Sequence, residues 1–176
     1  MPGRSARSLP RRPAALVSAA VLLLMGGPLT AQASAASTGA AADEHPQICY
    51  RAYVESVGWE ADEWCNGIGA GLPGFSVQAL QLSAANVGTL CARANLAVSG
   101  WQAWQCSSTE WGRIQIGSTT AGRGVRAVEL SVTTGVITAE VEMSNSGYQG
   151  PRTGSTVLVG SPGGVDEIEF IGIAVR

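Results

Sequence analysis

The side chains in this sequence best suited to gripping a ligand are five tryptophans, Trp59, Trp64, Trp101, Trp104 and Trp111. An indole face stacks on a sugar ring or seats in a partner's pocket, and such rings carry much of the energy of binding. Trp111 lies in a stretch, Cys106 to Arg113, that has no counterpart elsewhere in the chain. Insertions of that kind are where function is added to a scaffold. Trp111 is therefore the leading candidate for an exposed, ligand-binding ring. Trp104 and Trp64 stand beside it as candidates, each one or two residues ahead of a cysteine. Trp59 and Trp101 each follow a glycine and are expected to be mainly core, as large aromatics usually are. On that reading Trp111→Ala weakens binding and leaves stability nearly unchanged, whereas Trp101→Ala costs about 3–5 kcal/mol.

Catalysis has little to work with. Carboxylates cluster at Glu60-Asp62-Glu63, Glu140-Glu142 and Asp166-Glu167-Glu169. A glycosidase needs two acids facing across a cleft, one with a raised pKa. Glu140 and Glu142 would share one face of a strand, but a solvated face or charged sheet edge explains them more simply. A Ser–His–acid triad would need His45, the chain's one histidine, which falls in a presumed linker. Zinc fails on spacing, since no C-x-x-C knuckle exists. The glycine-rich stretches 69–74 and 160–164 precede no helix and read as turns. No catalytic residue, cofactor or metal is expected.

The chain has 176 residues, 45% of them hydrophobic, 14% charged, with 23 Gly. That is too apolar for intrinsic disorder. There is no Lys, and four of the 11 Arg (Arg4, Arg7, Arg11 and Arg12) precede an apolar run from Ala14 to Met25. Small residues follow, with A-x-A sites at Ala31-Gln32-Ala33 and Ala33-Ser34-Ala35. Residues 1–35 therefore read as a secretory signal peptide, its apolar run too short to span a bilayer. Residues 36–47 read as a flexible linker. With the signal peptide removed, the remainder carries 7 Arg against 13 acidic residues, a net charge near −6. That balance excludes nucleic acid and anionic membrane as leading partners. The protein is expected to be secreted, extracellular or cell-wall associated.

Self-similarity organises the rest. Ile68-Gly69, Ile116-Gly117 and Val159-Gly160 are each followed, eight residues after the glycine, by an apolar block beginning Val77, Val125 and Ile168. Upstream of them stand Gly58-Trp59, Gly100-Trp101 and Gly147-Tyr148. Three units result, at 48–90, 91–135 and 136–176. Valine, Ile and Leu recur in short runs between glycine-rich turns, so the units are β. The block Val-x-Ala-Leu-x-Leu switches face between Ala79 and Leu80, which suggests a bulge or a strand apolar on both sides. The expected fold is all-β: three pseudo-symmetric repeats of about 45 residues in one closed domain, prism-like or trefoil-like. Four cysteines in an exported chain allow three disulfide connectivities. The matched register selects Cys49–Cys65 and Cys91–Cys106, each worth about 3 kcal/mol in the chain-entropy model. The third unit has no cysteine and is expected to hold its corner by packing alone.

The string Ile48-Cys49-Tyr50-Arg51-Ala52-Tyr53-Val54, followed by Gly58-Trp59, Cys65-Asn66-Gly67 and Val77-Gln78-Ala79-Leu80, resembles the clostridial hydrophobic W (ChW) repeat. Gly100-Trp101-Gln102-Ala103-Trp104-Gln105-Cys106 is similar to its actinobacterial, Cys-containing form. The family's histidine ahead of Gly-Trp is replaced here by Tyr53, Asn95 and Glu142. The resemblance implies a secreted or surface-displayed repeat protein that binds polysaccharide or protein and has no defined catalytic residues. Two functions stand on this reading: a module for cell-wall or other extracellular glycan, and an extracellular protein-interaction module. Exposed indoles beside polar side chains favour the first, a flat apolar patch the second.

Overall fold

A computed structural model of the protein describes residues 45–176. The expected signal peptide, 1–35, and linker residues 36–44 lie outside the described residues. Fourteen strands and no helix are formed among the described residues, in three antiparallel sheets. In the first, β1 (Gln47–Val54) pairs with the short β2 (Gly58–Trp59) and β3 (Trp64–Cys65) on one side. On its other side lie β5 (Val77–Ala85) and then β9 (Ile114–Gly117). The second sheet places β6 (Leu90–Leu96) between β7 (Gly100–Trp101) with β8 (Gln105–Ser107) and β10 (Val125–Val132), with β13 (Thr156–Gly160) outermost. The third runs β12 (Gly147–Gly154), β11 (Ile137–Met143), β14 (Ile168–Val175) and β4 (Ala70–Gly71). These sheets do not close into a barrel, which corrects the expectation of a closed domain.

The outermost strand of each sheet comes from elsewhere in the chain. β9 leaves the second cysteine-bearing segment to join the first sheet, β13 crosses to the second, and β4 crosses to the third. The sheets also share one register. Gly58, Gly100 and Gly147 lie opposite Val54, Leu96 and Met143, and the aromatic that follows each lies opposite Tyr53, Asn95 and Glu142. The backbone N–H groups of Glu55, Ala97 and Ser144 donate to the carbonyls of Ser76, Gly124 and Glu167, each at 2.9 Å.

A bulge explains both the face switch and a glycine. Pairing skips Gln78 opposite Tyr53/Val54, Arg126 opposite Asn95/Leu96, and Glu169 opposite Glu142/Met143. The extra residue lets Ala79 and Leu80 both be buried and turns its own carbonyl toward the crossing strand. A Cβ on Gly117 would stand 2.3 Å from the Gln78 oxygen, and one on Gly160 2.3 Å from that of Arg126. In the third sheet the residue so placed is Gly71, 2.2 Å from the Glu169 oxygen, with φ +117°. Gly69, the expected counterpart, lies two residues earlier and faces the Phe170 ring instead. The eight-residue count in the first unit therefore landed on the wrong glycine, because the loop from Gly71 to Val77 is two residues shorter than the others.

Cys49 pairs with Cys65 and Cys91 with Cys106, directly opposite each other across β1/β3 and β6/β8. In the third sheet Thr138 and Thr153 hold that register, their hydroxyls 3.2 Å apart. The corner without cysteine is thus held by a hydroxyl pair as well as by packing, which corrects the expectation of packing alone.

Inward-facing residues of all three sheets merge in one core, with Leu80, Val128 and Ile171 fully buried. Its one large polar member is Tyr50, whose hydroxyl accepts from the Ile173 N–H at 2.7 Å and donates to the Ile68 carbonyl. Burial pushes its pKa up from 10.0 to about 12. A phenol raised in the folded state favours the neutral form, so its contribution is complete below pH 10 and lost as pH rises toward 12. Two pH units correspond to about 3 kcal/mol. Urea melts at pH 8 and pH 11.5 should show about 2 kcal/mol of this loss in the wild type and none of it in Tyr50→Phe. That variant should itself be about 1–3 kcal/mol weaker at pH 8, because the Ile173 N–H loses its acceptor. Equal alkaline loss in both proteins would place the titrating group elsewhere.

Candidate functional site

Alternation along β6 sends Leu90, Ala92 and Ala94 inward and leaves Cys91 and Arg93 on the outer face. On β10 the outward partners of these two are Ser131 and Glu129, and on β13 they continue to Thr156 and Leu158. Two rows of side chains therefore cross the second sheet. The upper row begins at Trp101 and Trp104, both exposed, at 36% and 39%. The Arg93 guanidinium lies over both rings, 4.6 Å from the Trp101 centroid and 4.8 Å from that of Trp104. Its other side is taken by the Glu129 carboxylate, 2.6 Å from Nη2 and 2.7 Å from Nε. Each exposed cation–π contact contributes roughly 0.5–1 kcal/mol, and together they fix the rings' orientation. The lower row is the Cys91–Cys106 cystine, Ser131 and Thr156, the last two hydroxyls 2.9 Å apart. A shallow depression of about 380 Å³ lies between the rows, lined by Trp104, the cystine and Ser131.

Trp101 therefore stands at the surface, correcting the expectation that it is core. Lying opposite Asn95 on a two-residue edge strand, it has one side of its ring open. Tyr148, its counterpart in the third sheet, is more open still at 60%. The structural cost of Trp101→Ala falls accordingly, from a core truncation to about 1–2 kcal/mol. Trp104 and Trp64 separate for a geometric reason. Trp64 precedes its cysteine by one residue, takes the opposite face of β3 and packs half-buried against the core. Trp104 precedes its cysteine by two and shares the cystine's outer face. Trp64 is thus withdrawn from the surface where a ligand could stack. Trp111 is 49% exposed, as expected, at a positive-φ position (+57°). Its N–H donates to the Ala84 carbonyl at 2.8 Å, and among the described residues no ring or cation stacks on it.

The other sheets carry variants of the same row. In the first, Arg51 lies 5.3 Å from the Trp59 centroid and donates to Gln81 at 2.8 and 2.9 Å. Trp59 is half-buried, with Tyr53 edge-on to it at 5.4 Å. In the third, Tyr148 donates to Glu140 at 2.6 Å, and that bond holds its hydroxyl above its ordinary pKa. The second sheet is the one that exposes two indoles around one cation. Sequence reasoning missed Arg93 and Glu129. A signal was present, since Arg51, Arg93 and Glu140 each stand eight residues before the aromatic they touch.

Among the described residues, no group of three or more His, Cys, Asp or Glu is placed to hold a metal ion. Nor is any helix there long and apolar enough to cross a membrane. Comparison with known protein families, with curated proteins and with solved structures finds no match for this chain.

Proposed function

We propose that this is a secreted, non-catalytic glycan-binding protein whose binding face is the outer surface of the second sheet. The observation that carries this reading is the pair of exposed indoles, Trp101 and Trp104, locked around Arg93. Preset aromatic rings spend little conformational entropy on binding, and they suit the flat apolar face of a pyranose. Beside them Glu129 and Ser131 offer an acceptor and a hydroxyl to the sugar's rim. We further propose that the three units stand about a pseudo-threefold axis in a prism-like layout, on the strength of the common register and the cyclic exchange of outer strands. Two disulfides are compatible with an extracellular setting, and the ChW-like strings point the same way. A protein-interaction module is the second reading, favoured by the exposed, mutually bridged Leu72 and Phe75 after β4.

Retention on insoluble peptidoglycan, chitin, cellulose and other wall polysaccharides tests the first reading. The wild type should be held by at least one of them. Trp101→Ala/Trp104→Ala should weaken that retention at least tenfold, with the fold retained. Leu72→Ser/Phe75→Ser should be held like the wild type. Retention lost in the second variant and kept in the first would move the glycan face to the Leu72/Phe75 patch, and no retention of the wild type on any of them would favour the protein-interaction reading.

A further inference from the structure

Each crossing strand passes the hairpin of the segment it left, and at two of the three seams a side chain bridges the gap. Glu60, one residue past Trp59, accepts from the Gly71 N–H at 2.9 Å and from the Ala52 N–H at 3.0 Å. Gln102, one residue past Trp101, accepts from the Gly117 N–H at 2.6 Å and donates to the Gly117 carbonyl at 3.1 Å. The register places Gln149, one residue past Tyr148, in the same role toward Gly160. Its amide instead turns back to donate to the Ser146 hydroxyl at 3.3 Å. A cavity of about 370 Å³ lies between β12 and β13, with Gln149 and Gly160 on its walls. That volume is at the small end of small-molecule sites, suited to one sugar ring.

The lining is polar where the depression on the second sheet is apolar. Besides Gln149 it offers the Arg152 guanidinium and the hydroxyls of Thr153 and Thr156. Those hydroxyls already meet Thr138 and Ser131, and each keeps further capacity to donate or accept. Arg152 is the one charged residue in the lining. The ion pairs among the described residues are Arg93–Glu129 and Arg113–Glu63, so Arg152 enters neither. An unpaired planar fork in a cavity of hydroxyls and amide matches a carboxylate on a polyhydroxylated ring.

We infer that the seam between β12 and β13 is a second binding site, for a saccharide unit bearing a carboxylate. It lies at the sheet edge opposite the indoles, separated by β10 and β6, or roughly 14 Å at the usual strand spacing. The two sites can therefore be tested apart.

Backbone amide resonances of the isotope-labelled protein report the outcome. They are followed while methyl glucuronide, methyl galacturonide, N-acetylmuramate and N-acetylneuraminate are titrated in turn. Methyl glucoside, methyl galactoside, N-acetylglucosamine and sodium acetate serve as probes lacking either the acid or the ring. At least one acidic sugar should shift resonances within 149–160, at least tenfold more tightly than its neutral partner and than acetate. Arg152→Gln should weaken it at least tenfold, Arg152→Lys less so, and Trp101→Ala/Trp104→Ala not at all. Neutral sugars or acetate matching the acids, shifts confined to other residues, no shift from any acid, or an unchanged Arg152→Gln would each overturn the assignment. Because the indole variant is read separately, failure at the seam leaves the aromatic face standing.

Discussion

Gly117→Ala should destabilise the domain by roughly 3–5 kcal/mol, and Gly100→Ala by only about 1–2 kcal/mol. Both glycines have positive φ, +86° and +71°, so an L side chain is strained at either. Around Gly100 a new Cβ meets nothing within 4 Å. At Gly117 it would stand 2.3 Å from the Gln78 oxygen and 2.5 Å from the Ala79 Cα. Backbone cannot swing aside like a long side chain, so β9 would have to lift from β5. That movement breaks the Ser118 N–H to Gln78 carbonyl bond, now 2.8 Å, and uncovers the apolar face beneath Ile116. Denaturant melts of the two variants make the comparison. A Gly117→Ala protein as stable as Gly100→Ala would mean that the bulged carbonyl does not press on the crossing strand.

A third disulfide should form between residues 138 and 153 in Thr138→Cys/Thr153→Cys. The two threonines stand directly opposite one another, as Cys49 and Cys65 do, and as Cys91 and Cys106 do. Their hydroxyls are already 3.2 Å apart. The loop closed would match the separation of 15 of the Cys91–Cys106 pair. For that length the chain-entropy model gives about 3 kcal/mol, partly offset by the lost hydroxyl pair. In a domain of this size that is roughly 10 °C in melting temperature. Thiol titration after oxidative folding should find no free cysteine. Two persistent thiols, or a gain that survives reduction, would show that the third corner departs from the geometry of the other two.

The parts of the fold legible in the sequence were those written as period and spacing. Alternating apolar residues and glycine turns gave strands throughout, and the equal distances from Cys49 and Cys91 to the following Trp gave the disulfide pairs. Sequence could not reveal that β4, β9 and β13 each leave their own segment for another sheet, because spacing along a chain carries no record of which edge a strand joins. Gly69 was taken for Gly71 for a related reason. The constraint on that glycine comes from a carbonyl about a hundred residues away, on Glu169. At the candidate site Trp111 was read correctly as exposed, since an insertion has no repeat partner to pack against. Trp101 was misjudged because a recurring position suggests a core corner, whereas the repeated feature is a surface contact with the residue eight earlier. The parity of Trp64 and Trp104 relative to their cysteines was visible all along, and it decided which ring faces solvent.

The most direct measurement of the proposed function is tryptophan fluorescence during titration with soluble fragments of whichever polysaccharide retains the protein. The wild type should show saturable quenching or a spectral shift, because the ligand covers the Trp101 and Trp104 rings. Trp101→Phe/Trp104→Phe keeps two aromatic platforms, so it should still bind by calorimetry while most of the fluorescence response disappears. Trp111→Phe should respond like the wild type. A response that survives in the Trp101/Trp104 variant and vanishes in Trp111→Phe would move the binding face off the second sheet and contradict the proposal.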